Sequence, residues 1–323
     1  MSVTRRVPVV AACATLVPLL AGCVVHVDSG GYTARKEQRF SVTGRPTIEL
    51  DTFDGAIEVQ AWNKPEVHVV VESRASSKVL LDDINVEVDN DDTRVAFKVT
   101  APRSSGWNFE TGNVTRSAKL IATVPADSEV RLRSGDGSVL VERVRGVIHA
   151  RTDDGRIVMR DVGGDIVADS GDGSVQMEDV DGRCTVSTRD GSVLVSGRLR
   201  GGLKATSGDG SVTVRAADGS EVDQDWQIET ADGGVVLALP ERLDARLDAR
   251  TNDGRISLNG YPDLTVERDG DSRSLQTVFG KGERVMRIRT GDGSITLKRV
   301  FVPMPPAPPA PPAPPAPPAV TEP

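Results

Sequence analysis

Along most of the chain apolar and polar residues alternate one for one, and Asp-Gly interrupts the alternation at regular intervals. In the stretch 145–162, "RGVIHARTDDGRIVMRDV", Ile148 and Ala150 precede Asp154-Gly155, Ile157 and Met159 follow it, and His149 and Arg151 occupy alternate positions. Period two on both sides of a turn predicts two short strands, each with one dry face.

The same unit occurs nine times, with its aspartate at Asp54, Asp136, Asp154, Asp172, Asp190, Asp209, Asp232, Asp253 and Asp292. The glycines that follow are Gly55, Gly137, Gly155, Gly173, Gly191, Gly210, Gly233, Gly254 and Gly293. From Asp136 onward the spacings are 18, 18, 18, 19, 23, 21 and 39 residues. Two positions before each aspartate stands Ser or Thr, from Thr52 and Ser134 to Thr290, and three after it Val or Ile. Fixed periodicity in this range signals a stacked architecture.

Asp-Gly between alternating strands is also a hairpin signal, so an antiparallel meander competes. A meander would turn all its dry faces to one side of a very wide sheet, and the rest of the chain hardly supplies a second layer. A solenoid folds the two dry faces of each coil against each other across roughly 10 Å and stacks identical positions along its axis. The pattern therefore predicts an all-β fold, a β-solenoid or parallel β-helix-like stack of two-strand coils of about 18 residues, on the order of 40 Å long at ~4.8 Å per coil.

Between the first two units lie "EVHVVVESRA", "INVEVDND", "TRVAFKVT" and "SAKLIATVP", longer alternating segments expected to continue the first coil and cap the stack. The stretch between Asp253 and Asp292 is expected to hold an irregular coil or exposed excursion. The resulting division is a signal segment over 1–22, a linker over 23–39, a capping β region over 40–125, the Asp-Gly solenoid over 126–302 and a proline-rich tail over 303–323. Such a tail favours extended polyproline II and reaches on the order of 60 Å, as a stiff spacer or ligand segment.

Composition sharpens this picture. Aromatic residues make up 3% of the chain against 38% hydrophobic residues overall, which predicts a thin core of small branched side chains. The formal charge is −8, and loss of Arg5 and Arg6 with the signal leaves the remainder two units more negative. An acidic surface poor in stacking rings disfavours nucleic acid as a partner.

Arg5 and Arg6, the apolar run Val7 to Leu20 and "LAGC" ending at Cys23 form an export signal. The run is too short to span a bilayer. Ala21-Gly22-Cys23 resembles the lipobox of bacterial lipoproteins, which implies acylation of Cys23 and a membrane tether. Val24 after the cysteine, in place of the aspartate associated with inner-membrane retention, favours the outer membrane if the organism has one. Once Cys13 is lost and Cys23 acylated, Cys184 alone remains, so no intramolecular disulfide is expected. Its apolar position in the repeat makes it a core thiol.

At "IELDTFDGAIEVQAWNKPEVHVVVESRA", followed by the serial "GDGSV" units and the late "GKGERVMRIRTGDGSITL", the chain resembles a bacterial family known as putative adhesins. That family is a domain of unknown function with a β-solenoid fold, and the resemblance covers roughly residues 40 to 300. It implies architecture and carries no catalytic residues with it. The lipobox and proline tail depart from the family pattern and add tethering without altering the core.

A stack aligns the aspartates, and carboxylates about 5 Å apart repel by roughly 0.8 kcal/mol in water. Relief could come from solvent, turn amides or a cation. Calcium takes six or more hard oxygens, whereas each corner supplies one invariant carboxylate, and the glycine-rich nonapeptide of calcium-binding β-rolls is absent. Arg156, Arg189 and Arg255 also blunt the column. The simpler expectation is a structural corner: aspartate accepting local backbone hydrogen bonds and glycine at positive φ. No cofactor or metal is expected.

Nor is an enzyme expected. A β-helical hydrolase needs carboxyl groups in unequal environments, and here the acids recur by repetition. His26, His68 and His149 are scattered, and the Ser/Thr column suits a polar ladder better than a row of nucleophiles. Trp226 aligns with a core position and Trp62 with a corner, leaving Trp107 in "SSGWNFETGN" as the candidate ligand contact. The reading is a non-enzymatic, membrane-anchored envelope lipoprotein, an adhesin-like scaffold. A carbohydrate-active β-helix enzyme or a calcium-dependent binding module are the alternatives.

Overall fold

The computed structural model describes residues 24–28, 31–102, 115–261 and 273–300. The leading strands, those before each Asp-Gly, form one sheet, here the front. The trailing strands, those after it, form the back. Front neighbours such as Asp127–Ser134, Arg145–Thr152 and Gly163–Ser170 pair in parallel, in register residue for residue. Val139–Glu142 and Ile157–Arg160 do the same at the back.

The alternation expected from the sequence decides which side chains are buried. Val130 and Leu132 from the front meet Val139 and Val141 from the back, all at most 3% exposed. The next coil repeats this with Ile148, Ala150, Ile157 and Met159, at most 2% exposed. β-branched side chains suit such a pleated, close-packed slot. Trp226 lies fully buried in the same column, its indole N–H donating to Gly201 O at 3.1 Å. Cys184 is 1% exposed, and burial pushes its thiol up to about 12.

The stacking order departs from the chain order at both ends. After the Asp54 coil the chain turns outward, and Arg94–Thr100 and Arg116–Pro125 lie parallel on its two strands as a capping layer. The Asp136 coil then pairs with the opposite edge of the Asp54 coil. At the far end the Asp292 coil is inserted between the Asp232 and Asp253 coils. Ser274–Phe279 makes this possible by folding back antiparallel on the outer edge of Ala245–Thr251. That strand closes the open edge, and the chain then re-enters on the inner side. The expected excursion between Asp253 and Asp292 thus contains an edge strand, while 262–272 lie outside the described residues.

A linker was expected over 23–39, but Val24–Asp28 and Gly31–Ser41 form a hairpin. Its second strand pairs antiparallel with Glu66–Ala75, which pairs in turn with Arg116–Pro125. The reason is the unpaired edge that the cap would otherwise present. Polar alternation in "GYTARKEQRFS" hides the strand, because only Phe40 packs against the core. Asn85–Asn90 covers the front edge in the same way.

Candidate binding surface

The Asp-Gly corner is closed by the Ser/Thr column. Each hydroxyl donates to a carbonyl of the neighbouring coil: Ser134 to Gly55 at 2.9 Å, Ser170 to Gly155 at 3.0 Å, Thr188 to Gly173 at 2.9 Å and Thr230 to Gly210 at 2.8 Å. The exchanged coils follow spatial order, Thr290 donating to Gly233 and Thr251 to Gly293, both at 2.8 Å. Most of these hydroxyls also accept the N–H of their own corner glycine, as Ser134 does from Gly137 at 3.1 Å. Backbone groups that would be buried without partners are satisfied in this way.

The glycines are required for a reason other than the one expected. Of the nine, only Gly55 has a left-handed φ, at 131°. At the other eight a Cβ would stand well under 3.0 Å from the carbonyl oxygen of the glycine in the adjacent coil. Close approach of stacked backbones therefore replaces positive φ as the explanation. The aspartates are corrected too: Asp54 is half-buried, the other eight are exposed, and none accepts a turn amide. Asp172 instead takes a hydrogen bond from Arg189 at 2.9 Å. Burial, and then the charge of Asp136, raises the Asp54 carboxyl above its ordinary value. Among the described residues no three His, Cys, Asp or Glu side chains converge as metal ligands would.

Left-handed backbone occurs at the opposite corner, at Arg143, Asp161 and Asp179, with φ of 60°, 50° and 53°. Each is followed by a buried valine, Val144, Val162 or Val180. Two residues further on, Gly146, Gly164 and Gly182 form a second column where a Cβ would strike the carbonyl of the coil beside it. The signal was present as Val-x-Gly at an 18-residue interval.

With both corners committed to structure, the outward faces carry what is left for contact. Much of their charge is paired between coils: Arg160 bridges Glu142 and Glu178, each at 3.4 Å, and Arg289 meets Asp248 at 2.7 Å. Glu49 accepts from Arg94 at 2.7 Å and Arg131 at 3.0 Å, and Arg94 chiefly holds its carboxyl below the usual value. On the front face Glu49, Arg131, Arg133, His149, Arg151 and Asp169 line a groove of about 450 Å³.

The Toastrack DUF4097 family model matches residues 46–298, which is the capped stack just described. The chain belongs to that family. No curated protein matches it at a significant level. Among solved structures, a "putative adhesin" of Bacteroides fragilis is 15% identical, with 82% of this chain and 97% of that chain covered and a TM-score of 0.37. A "putative adhesin" and a "putative lipid binding protein" of Parabacteroides distasonis are 12% and 14% identical, with TM-scores of 0.38 and 0.40. Each of these two covers 81% of this chain and 96% of its own.

In this Toastrack chain the other residues singled out in the sequence do not converge. Cys23 and Trp107 lie outside the described residues. Trp62 packs at the cap, its ring stacked on His68 at 6.4 Å and its N–H donated to Glu66 O at 2.8 Å. His68 Nε2 lies 2.7 Å from Glu37 Oε1, and this contact, ahead of Arg39, lowers the Glu37 carboxyl. His26 falls in Val24–Asp28, and His149 is exposed on the front face.

Proposed function

We propose that this Toastrack protein is a non-enzymatic envelope lipoprotein, tethered to the membrane through acylated Cys23 and presenting the faces of its stack to an envelope partner. The observation that supports this best is the ladder of corner hydroxyls and carbonyls, which fixes nine coils in one register and leaves their outward side chains as a continuous surface. A groove-based hydrolase needs a carboxyl kept protonated as a general acid. In the front groove Glu49 is instead held ionised by Arg94 and Arg131. Outer-membrane placement is part of the proposal where the organism has such a membrane.

The test is expression of the full chain in a bacterial host with labelled palmitate. Label on the wild type and its recovery with membranes are expected, with both lost in Cys23→Ala. A wild-type chain that is unlabelled and freely soluble would contradict the tether. Incubation with envelope glycans is expected to give binding without cleavage, and turnover abolished by one carboxylate substitution would contradict the non-enzymatic reading.

A further inference from the structure

On the front face two neighbouring strands place like charge against like charge. Arg133 is the register partner of Arg151, and Arg131 of His149. All four side chains are exposed. Arg131 is paired with Glu49 and Glu129, but Arg133 and Arg151 have neither an ion-pair nor a hydrogen-bond partner among the described residues. Their register partners on the far sides are Asp51 and Asp169, and Asp169 is engaged by the Ser187 hydroxyl. Like charges directly opposite on adjacent strands oppose pairing. Elsewhere on these faces arginines such as Arg160 and Arg183 form ion pairs with carboxylates of the next coil, which Arg133 and Arg151 do not.

We infer that Arg133 and Arg151, with His149 beside them, form a binding site for an isolated phosphate group on an otherwise uncharged carrier such as a sugar. Adjacent strands lie about 4.8 Å apart, so the two guanidinium forks approach one tetrahedral group from two sides. One bidentate fork engages both oxygens of a planar carboxylate, whereas a phosphate presents a further oxygen to the second fork. The site is short along the axis, because Glu49 and Asp51 bound it at one end and Asp169 at the other. Those carboxylates oppose a continuous polyanion or an anionic membrane plane, whose further charges must lie over them, more strongly than a single phosphate centred on the two arginines. This inference rests on the binding reading above and names the chemistry of the ligand.

Calorimetry on the full chain in neutral detergent, at low salt, tests it with glucose 6-phosphate, glucose, glucuronate, oligothymidylate and phosphatidylglycerol in mixed micelles of the same detergent. Glucose 6-phosphate is expected to bind, glucose to give no heat, and the other three to bind at least fivefold more weakly. The double variant Arg133→Gln/Arg151→Gln is expected to lose at least tenfold in affinity, with a Tm equal to or above the wild type because a repulsive pair is gone. Arg160→Gln, on the back face, is expected to bind as the wild type does. Equal affinity in the double variant, tighter binding of glucuronate, oligothymidylate or phosphatidylglycerol micelles, or no wild-type heat with glucose 6-phosphate would overturn the inference. Glycan binding that survives any of these results would leave the broader scaffold reading standing.

Discussion

Thr188 Oγ1 stands 2.9 Å from the carbonyl oxygen of Gly173 in the neighbouring coil, and it accepts the N–H of Gly191 at 3.3 Å. One hydroxyl therefore joins two coils and closes its own corner. Thr188→Val preserves the shape and removes these contacts, together with that to Gly171 O, leaving a half-buried N–H and carbonyls short of partners. A loss of about 1–3 kcal/mol in unfolding free energy is expected. Urea denaturation checks it, and a change within about 0.5 kcal/mol would show the ladder to be idle.

The adjacent glycine is expected to be less tolerant than the aspartate beside it. In Gly173→Ala the new Cβ meets Gly155 O, backbone that cannot move without displacing a coil. Overpacking of this kind costs about 1–3 kcal/mol. Asp172→Asn, at an exposed side chain, is expected to stay within about 0.5 kcal/mol of the wild type. Paired melting curves decide the matter, and the reverse ranking would return the corner to the aspartate.

Asp54 gives a pH signature. Its carboxyl is raised, first by burial and then by Asp136, so the folded chain holds this proton more tightly than the unfolded chain does. Its contribution to stability is full below the unfolded value of about 3.9 and is lost as pH rises through the folded value. Asp54→Asn is therefore expected to raise Tm at pH 7 and to leave it nearly unchanged at pH 3. Melting across that range checks the sign, and a lower Tm for the variant at pH 7 would contradict it.

Cys184 tests the dryness of the slot. With the thiol pushed up to about 12 by burial, alkylation at pH 8 is expected to be slow in the native protein and rapid in denaturant. Peptide mass spectrometry reads the site apart from Cys13 and Cys23. Rapid native labelling would mean an open coil.

Much of this architecture was legible because the repeat carries it: Ile148, Ala150, Ile157 and Met159 announce a coil by alternation alone. The roles inside the corner were less legible. Asp-Gly suggested a left-handed glycine, but stacking makes Gly173 necessary through contact with Gly155, a residue of another coil that local turn rules do not include. The left-handed non-glycine positions fall on Arg143, Asp161 and Asp179; aspartate tolerates that conformation, but arginine does not favour it, so the column does not show as one residue type. Gly31–Ser41 escaped notice because a strand with polar residues on both faces alternates without a dry side. The front groove was hidden for a related reason. Arg133 and Arg151 look like ordinary solvated positions until register sets them side by side.

The central claim is the register of the stack, and the exchange of the last coils tests it most directly. Val236 faces Thr296, and Thr296 faces Ser257, as register partners on consecutive strands. Val236 and Ser257 are thus two strands apart, about 9.6 Å, beyond the roughly 7 Å that a disulfide spans. Mild oxidation followed by peptide mass spectrometry is expected to find a crosslink in Val236→Cys/Thr296→Cys and none in Val236→Cys/Ser257→Cys. A crosslink in the second pair and not in the first would place the coils in simple chain order and contradict the inserted Asp292 coil.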